Sequence, residues 1–255
     1  MKILITNDDG VYADGIWALA KELQEVGKIT VVAPDRDQSG TGTSVTLSQP
    51  LRLTRIESPL EDVDAYSVEG TPADSVILAI RQAMKNDVDL VISGINQGPN
   101  IGNDVYISGT VGAALQSYFY GIPSIAISLS TFENLCFDVA ARLAKLLAIE
   151  IKRTSLTEKM LLNVNIPNMP WEKIEGIEIT ELGNRTYADG IKQGHDGRRD
   201  YFWIIHGESQ WEIKHGSDIW ALKQNRVSIT PLFNNAGNSN HSFLKDIVAN
   251  LSKQL

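Results

Sequence analysis

The spacing of apolar residues alternates between two periods along the first two-thirds of the chain. Short apolar runs at residues 3–6 and 29–33 predict buried strands. Between them, Ile16, Leu19 and Leu23 recur at the spacing of an amphipathic helix. The same alternation continues to about residue 166, and strands that alternate with helices predict a mostly parallel, doubly wound α/β sheet.

Further elements follow from the same pattern. Strands are predicted at 65–68, 89–93, 124–128 and 161–166, and helices over 15–26, 71–85, 110–120 and 137–151. Thr71-Pro72-Ala73-Asp74 is typical of a helix start, with a threonine cap, a proline in the first turn and an acid close behind. Residues 35–62 and 94–108 are predicted to be loops, the first with at most a short hairpin.

The pattern changes after Pro170. Residues 183–218 carry scattered Gly, Asp and Arg and are predicted to form β-hairpin structure outside the main sheet. A strand is predicted at 226–230 and an amphipathic helix at 242–251. We therefore divide the chain into a core, residues 1–182, and an extension, residues 183–255, whose strand 226–230 returns to the core.

Composition excludes several classes of protein. The net charge of −8 argues against binding of a nucleic-acid polymer, which needs a basic surface. No apolar stretch is long enough to span a membrane, and the first residues lack the layout of a signal peptide, so a cytoplasmic location is expected. The single cysteine, Cys136, cannot form an internal disulfide and is expected in the core.

Two adjacent carboxylates, Asp8 and Asp9, follow the first predicted strand. They repel each other and lose solvation if they are buried, and a divalent cation would remove both costs. The alternative is that they stabilise the start of the next helix. The pair predicts a metal site at the carboxyl edge of the sheet, where open α/β sheets bind ligands.

Neighbouring loops offer neutral oxygen ligands. Ser39 follows the second strand and Asn96 follows the strand predicted to end at residue 93. Alone, each is an ordinary turn residue. Together with Asp8 and Asp9 they form an all-oxygen set, which suits Mg²⁺ or Mn²⁺ and also admits Ca²⁺.

Two segments are candidate phosphate sites. Ser108-Gly109-Thr110 begins a helix, and backbone N–H groups at a helix start bind anions, although the hydroxyls could simply cap the helix. Asn100, together with Asp104, is expected to support either the glycine-rich loop before this helix or the surroundings of the metal. The second segment, Gly40-Thr41-Gly42-Thr43, is the candidate substrate loop; it resembles a phosphate cradle but lacks the lysine of a P-loop.

These segments together resemble the SurE survival-protein family of phosphatases that act as 5'(3')-nucleotidases. The resemblance rests on six segments in family order, at residues 3–11, 32–40, 70–74, 93–100, 108–111 and 227–232. Two positions depart from the family pattern, because Thr43 stands where the family often has His, and Ile107 where it often has Tyr.

The resemblance implies a Rossmann-like, doubly wound, mostly parallel sheet with a protruding β-hairpin region and a C-terminal helix tail. It places one divalent cation per subunit on Asp8, Asp9, Ser39 and Asn96. It places phosphate contacts in the loop through Asn100 and on residues 108–110. It further implies nucleoside monophosphate substrates, activity of some members on short polyphosphates, and a homodimer or homotetramer joined through an exchanged C-terminal segment.

The residues favour metal-assisted hydrolysis of a phosphomonoester, with Asp8 and Asp9 as the catalytic pair. One carboxylate either orients the attacking water or is itself the nucleophile, and the sequence leaves both routes open. A phosphoacceptor receiver domain also has an early acidic pair, but its later Asp and Lys are replaced here by Ser93 and Ser128 at the corresponding strand ends. The third hypothesis is a protein that binds nucleotides without catalysing a reaction.

The late region is rich in aromatic residues, namely Tyr201, Phe202, Trp203, Trp211 and Trp220. This is more apolar area than a bare hairpin buries. The side chains either pack on the main domain or form an interface between subunits.

Overall fold

A computed structural model gives the fold, and it describes residues 1–154, 159–186, 189–206, 210–233 and 242–255. The α-helices in this part of the chain are α1 Asp14–Leu23, α2 Pro72–Leu78, α3 Gly109–Phe119, α4 Phe137–Thr154, α5 Asp218–Lys223 and α6 Ser242–Leu251. The strands are β1 Lys2–Thr6, β2 Lys28–Pro34, β3 Leu53–Ile56, β4 Asp64–Val68, β5 Leu90–Gln97, β6 Ser124–Leu129, β7 Leu161–Ile166, β8 Ile177–Ile179, β9 Asn184–Thr186, β10 Asp189–His195, β11 Asp200–His206, β12 Gln210–Glu212 and β13 Val227–Leu232.

One large sheet holds most of the strands in the order β3-β4-β2-β1-β5-β6-β7-β13-β8. The strands from β4 to β7 in this order are parallel, β3 is antiparallel to β4, and β13 is antiparallel to β7. The chain builds outward from β1 through β2 to β4 and then restarts on the other side of β1 with β5. The carboxyl ends of β1 and β5 therefore flank the point where an open α/β sheet binds its ligand.

Helices cover both faces of the sheet, as the alternating pattern predicts. Helices α1, α4 and α6 contribute to the larger apolar core, which includes Leu19, Leu143 and Ile247. Helices α2 and α3 pack against each other on the opposite face. The core strands are buried along nearly their whole length, which is typical of parallel strands covered on both sides.

The predicted fold class is confirmed, and several element boundaries differ. The loop predicted over 35–62 contains β3, and β5 continues to Gln97, inside the predicted loop 94–108. That loop also contains a short 3₁₀ helix, Gly102–Tyr106. The helix that begins at Pro72 becomes a π-helical turn over Ala79–Ala83 and ends before Lys85.

Two antiparallel pairs, β9 with β12 and β10 with β11, lie outside the main sheet, where β-hairpin structure was predicted. Strand β13 lies in the main sheet, between β7 and β8. The expectation that Cys136 lies in the core is wrong, because it is exposed just before α4, where its backbone N–H donates to Asn168 Oδ1 at 3.0 Å. Among the described residues, no helix is long and apolar enough to cross a membrane.

Candidate active site

The turn that carries the two carboxylates is fixed by the buried side chain of Asn7. Its Oδ1 accepts from the Gly10 N–H at 3.1 Å, and its Nδ2 donates to the Gly10 carbonyl at 2.9 Å. Gly10 has φ of +99°, a conformation that glycine adopts without strain. The polypeptide therefore leaves β1 in a closed loop that presents Asp8 and Asp9 at the sheet edge.

Asp8 is buried against the first turn of α3. The hydroxyl of Thr110 donates to Asp8 Oδ1, and the Thr110 backbone N–H also donates to this carboxylate. Gly109 makes the contact possible, because a Cβ at this position would lie 2.8 Å from Asp8 Cβ and 2.9 Å from Oδ2. Burial raises the pKa of Asp8, and the hydrogen bonds from Thr110 oppose that rise.

Asp9 lies next to β5 and is less enclosed than Asp8. The backbone N–H of Gln97 donates to its carboxylate. Its Oδ2 is buried and has no hydrogen-bond partner among the residues that the structure describes. Burial raises the pKa of Asp9 to about 7, and the neighbouring Asp8 and Asp37 carboxylates add to the rise. The two carboxylates accept hydrogen bonds from Thr110 and Gln97, which lie outside α1, so the alternative in which the pair caps α1 finds no support.

The loop after β2 joins the same edge of the sheet. The Gln38 N–H donates to the Asp8 carbonyl at 2.8 Å, which places the next residue, Ser39, beside the carboxylate turn. The Ser39 hydroxyl and N–H both bond Asp37 Oδ1, at 2.6 and 2.8 Å. Asp37 therefore holds Ser39 and also contributes negative charge near Asp8 and Asp9.

Asn96 lies at the end of β5, beside Gln97, whose N–H binds Asp9. Its Nδ2 donates to the Gly98 carbonyl at 2.7 Å, so the amide oxygen is the atom left for a ligand. The register between β5 and β6 shifts between Ser93 and Asn96. This irregularity redirects the strand end where the predicted ligand lies.

The predicted phosphate residues differ in their surroundings. Ser108 Oγ accepts from the Val111 N–H at 3.2 Å and so caps α3, while Thr110 is engaged by Asp8. Asn100 is buried, and its Nδ2 donates to Ser128 Oγ at 2.9 Å. The structure thus makes Asn100 an anchor of its loop, and a phosphate contact through residues 100 or 108–110 stays a prediction.

The predicted substrate loop, Gly40-Thr41-Gly42-Thr43, follows Ser39 and packs on α3. A Cβ on Gly112 would lie 2.2 Å from the Gly42 carbonyl oxygen, so loop and helix are in direct contact. Thr41 Oγ1 donates to the Gln38 carbonyl at 2.7 Å, which closes the start of the loop. The loop therefore lies along the same helix whose first turn holds Asp8.

The donor set fits a hard divalent cation. The buried, unpartnered Asp9 Oδ2 is an oxygen that a cation would satisfy, and raised pKa values are expected when two carboxylates lie together without one. Within the described ranges, no cluster of three or more His, Cys, Asp or Glu side chains is placed to hold a metal ion. The predicted set has only two carboxylates, and its remaining oxygens belong to Ser39 and Asn96.

Three contributors to the site were not assigned a role from the sequence. Asn7 has a local signal, because Asn at the first and Gly at the fourth position are typical of a type I turn. Asp37 stands two residues before Ser39, a spacing typical of a turn closed by an Asp or Asn side chain. Gln97 acts through its backbone N–H, so its side-chain type carries no signal.

A mostly parallel open sheet with a carboxylate pair and a helix start at its carboxyl edge defines the class of α/β proteins that bind ligands at a topological switch point. The family model described as Survival protein SurE matches residues 3–189. The chain belongs to the SurE family.

Relatives and a solved structure agree with this membership. The chain is 47% identical over 236 residues to a protein of Dehalococcoides mccartyi strain CBDB1 named 5'-nucleotidase SurE, covering 91% of this chain and 88% of the relative. It is 43% identical over 233 residues to a protein of the same name from Legionella pneumophila strain Paris, covering 91% and 90%. The crystal structure of the SurE protein from Aquifex aeolicus superposes with a TM-score of 0.79 at 37% identity, covering 97% of this chain and 99% of that one.

Proposed function

We propose that this protein is a 5'-nucleotidase that hydrolyses nucleoside 5'-monophosphates to nucleoside and phosphate. The observation that carries the proposal is the contact between the Asp8 carboxylate and the first turn of α3, beside Asp9 at the switch point of the sheet. The relatives named 5'-nucleotidase SurE support the same activity.

We propose that activity depends on one divalent cation, Mg²⁺ or Mn²⁺, held by Asp8, Asp9, Ser39 and Asn96. When bound, such a cation neutralises phosphoryl charge and lowers the pKa of a coordinated water. The unpartnered Asp9 Oδ2 and the Ser39 hydroxyl held by Asp37 support this assignment.

Residues of the protein itself bind the phosphate and position the attacking group. The start of α3 offers positive potential and the Gly109 N–H to a phosphoryl oxygen. Asp8 is held by Thr110 and so keeps its carboxylate in a fixed position. Asp9 is the more open carboxylate, and we assign it to orient the attacking water. Attack by Asp8 itself is the competing route, and an acid-labile phosphoryl group trapped on Asp8 would establish it.

Phosphate release tests the proposal directly. Purified protein is assayed with all nucleoside 5'- and 3'-monophosphates and with tripolyphosphate, in Mg²⁺ or Mn²⁺ and again in EDTA. We expect phosphate release from 5'-monophosphates, and we expect EDTA to abolish it. We further propose that the protein also releases phosphate from 3'-monophosphates and from short polyphosphates. Nucleotide binding without release would support a binding protein instead.

A matched pair of variants tests the assigned residue. Asp9→Asn keeps the shape of the side chain and removes its charge, so turnover should fall by about two orders of magnitude or more. Asp14→Asn changes an exposed acid six positions from Asp8 and should leave turnover unchanged. Normal activity of Asp9→Asn in a folded protein would contradict the role.

A further inference from the structure

Asn100, in the loop between β5 and α3, is held by side chains of two neighbouring strands. Its N–H donates to Asn165 Oδ1 at 2.9 Å, and its carbonyl accepts from Asn163 Nδ2 and Asn165 Nδ2 at 2.8 and 2.9 Å. Its own Nδ2 donates to Ser128 Oγ at 2.9 Å. Ser128, Asn163 and Asn165 are fully buried. Asn100, Asn163 and Asn165 therefore form a buried amide cluster, and together with Ser128 it fixes the backbone and the side chain of Asn100.

The two asparagines of β7 are unusual in a strand that is buried on both faces. Leu162, Val164 and Ile166 belong to the larger apolar core, and Asn163 and Asn165 alternate with them on the opposite face. Buried parallel strands are normally apolar on both faces. A buried amide costs free energy unless it is hydrogen-bonded, and Asn163 Oδ1 has no partner among the described residues. Stability alone therefore does not account for these two side chains.

The cluster lies next to the candidate metal site. Ser128 is paired with Asn96 between β5 and β6, and with Asn165 between β6 and β7. Neighbouring strands are about 4.8 Å apart, so Ser128 connects the Asn100 side chain with the predicted metal ligand Asn96 across one strand spacing. The last N–H of β5 binds the carboxylate of Asp9. Asn100 is therefore held at the same edge of the sheet as the carboxylate pair.

The side chain of Asn100 has a donor left for a ligand. An asparagine amide carries two N–H groups, and Ser128 accepts from one of them. The predicted phosphate contact through Asn100 requires a donor, and the second N–H supplies one. Because Ser128 restricts rotation of the amide, the second N–H keeps one direction before a ligand arrives. A donor that is already oriented loses less conformational entropy on binding.

The metal end of the loop is held by bonds that do not involve the cluster. The backbone of Asn96 and Gln97 continues the pairing of β5 with β6. The Gly98 N–H donates to the Leu129 carbonyl at 3.0 Å. Loss of a side-chain contact at Asn100 leaves these bonds in place. Phosphate binding and metal binding should therefore respond differently to a change around Asn100.

We propose that Ser128 and the two asparagines of β7 are positioning residues for phosphate binding. They hold Asn100 in the orientation in which its second N–H donates to a phosphoryl oxygen. Ser128 orients the side chain, and the asparagines hold the backbone. The proposal rests on the proposed function, because it requires that the substrate phosphate binds at this edge of the sheet.

Calorimetric titration with inorganic phosphate in the presence of Mn²⁺ tests the proposal without requiring turnover. In Ser128→Ala the Kd of phosphate should rise about threefold to tenfold, the size expected for one weakened hydrogen bond. Ser124→Ala is the matched control, because Ser124 is fully buried in the same strand and its hydroxyl donates to the Met160 carbonyl. Its Kd for phosphate should stay at the wild-type value.

A double-mutant cycle shows whether Ser128 acts through Asn100. Asn100→Ala keeps the backbone bonds to the cluster and removes the proposed donor, so the Kd of phosphate should rise about tenfold or more. In this background Ser128→Ala should change the Kd by less than about twofold. Equal effects of Ser128→Ala in both backgrounds would contradict the proposal.

Asn163→Ala tests the hold on the backbone. It removes one bond to the Asn100 carbonyl together with the unpartnered Oδ1, while Asn165 still donates to that carbonyl. Phosphate should bind about threefold to tenfold more weakly. The Kd of Mn²⁺ alone, measured by electron paramagnetic resonance, should stay at the wild-type value in this variant and in Ser128→Ala.

The outcomes distinguish the positioning role from a structural role and from the proposed function. Mn²⁺ binding that weakens in parallel with phosphate binding, or phosphate binding that is unchanged in both variants, would overturn the positioning role. A wild type that binds phosphate but releases none from nucleoside monophosphates would overturn the proposed function alone. A wild type that binds no phosphate in Mn²⁺ would overturn the positioning role even if nucleotides are hydrolysed.

Discussion

At the scale of single residues, the site depends on how closely a helix start approaches a carboxylate. Asp8 contacts Thr110 through a side chain and a backbone N–H, and it contacts Gly109 because this residue has no Cβ. A helix start that holds an acidic side chain from another element is a favourable electrostatic arrangement. Of the two adjacent carboxylates, Asp9 is the one with a buried oxygen that has no partner within the described structure.

Gly109→Ala should lower kcat by about two orders of magnitude, because the new Cβ would lie 2.8 Å from Asp8 Cβ and displace a buried group. Alanine has the higher helix propensity, so α3 itself should not weaken. Steady-state kinetics with circular dichroism would check both points. As a control, Gln116→Gly weakens α3 by about 1 kcal/mol without touching Asp8 and should keep most of the activity.

The stability of the cation-free protein should depend on the Asp9 carboxyl. Its pKa is about 7 in the folded protein, raised by burial and by Asp8 from the ordinary 3.8. Between these values the folded state binds more protons than the unfolded state, so the free energy of unfolding should fall as pH rises from 4 to 8.

Urea unfolding in EDTA across this range would measure that slope. The slope should be smaller in Asp9→Asn, which has no proton to lose at this position. Added Mg²⁺ or Mn²⁺ should restore stability to the wild type at the upper end of the range, because a ligand that binds only the folded state stabilises it. An equal slope in both proteins would contradict the assignment.

At the scale of elements, the start of α2 also holds the substrate loop. Thr71 and Asp74 form a capping box, in which each side chain binds the backbone N–H of the other residue. Asp74 accepts in addition from the N–H and hydroxyl of Thr46, at 2.9 and 2.7 Å. Thr71 Oγ1 donates to the Ser44 carbonyl at 2.6 Å. One helix cap thus fixes the segment just after residues 40–43.

Asp74→Ala should therefore cost more than about 2 kcal/mol of folding free energy, since it removes a cap and leaves three part-buried donors of Thr46 and Thr71 without their partner. It should also raise KM for the nucleotide, because the substrate loop loses its anchor. Asp14→Ala removes an exposed first-turn acid that makes no cap bond at α1, so its cost should stay below about 1 kcal/mol. Equal effects of the two substitutions on chemical denaturation would contradict this reasoning.

Elements with a clear apolar pattern were predictable from the sequence, and elements without one were not. Residues 161–166 and 242–251 were predicted with the bounds of β7 and α6. Helix α5 was missed because six residues are too few for a periodic pattern. The edge strand β3 was missed because it forms by pairing with β4, and the local sequence carries no pattern that predicts this pairing.

Some residues of the candidate site were likewise predictable from the sequence, and others were not. Asp8 and Asp9 were found because adjacent acids at a strand end are chemically unusual. The contacts of Thr110 with Asp8 and of Gln97 with Asp9 join segments about a hundred residues apart in the chain, and only the folded sheet brings them together. Cys136 was placed wrongly because an apolar neighbourhood in sequence does not fix which side of a turn faces solvent.

At the scale of the whole molecule, the β10–β11 pair exposes large apolar side chains on both of its faces. Phe202 and Trp203 are adjacent in β11, so they point to opposite faces, and they are 62% and 63% exposed. A two-stranded pair with both faces in water is only marginally stable. Trp220, in contrast, packs within its own chain, with its ring 4.2 Å from that of His215, and the side chain of Trp211 lies outside the described residues.

This exposure supports the proposal that the protein is a homodimer or homotetramer. Gel filtration with light scattering should give a multiple of the 28.0 kDa chain mass. Replacing Phe202 and Trp203 together by Ser should lower the native mass, because apolar side chains at a subunit interface stabilise the assembly. Replacing the exposed Phe119 by Ser is the control, and a wild type that elutes as a single chain would contradict the proposal.

The buried amide cluster around Asn100 has a consequence for the exchange of backbone hydrogens with solvent. The Asn100 N–H donates to Asn165 Oδ1 at 2.9 Å, and its carbonyl accepts from Asn163 and Asn165 at 2.8 and 2.9 Å. Breaking these bonds requires strands β6 and β7 to separate from the loop, so this N–H should exchange with deuterium as slowly as those of the core strands. The rate at which the Asn100 N–H exchanges with deuterium would then report how often the whole sheet opens, although this residue lies in a loop of the active site.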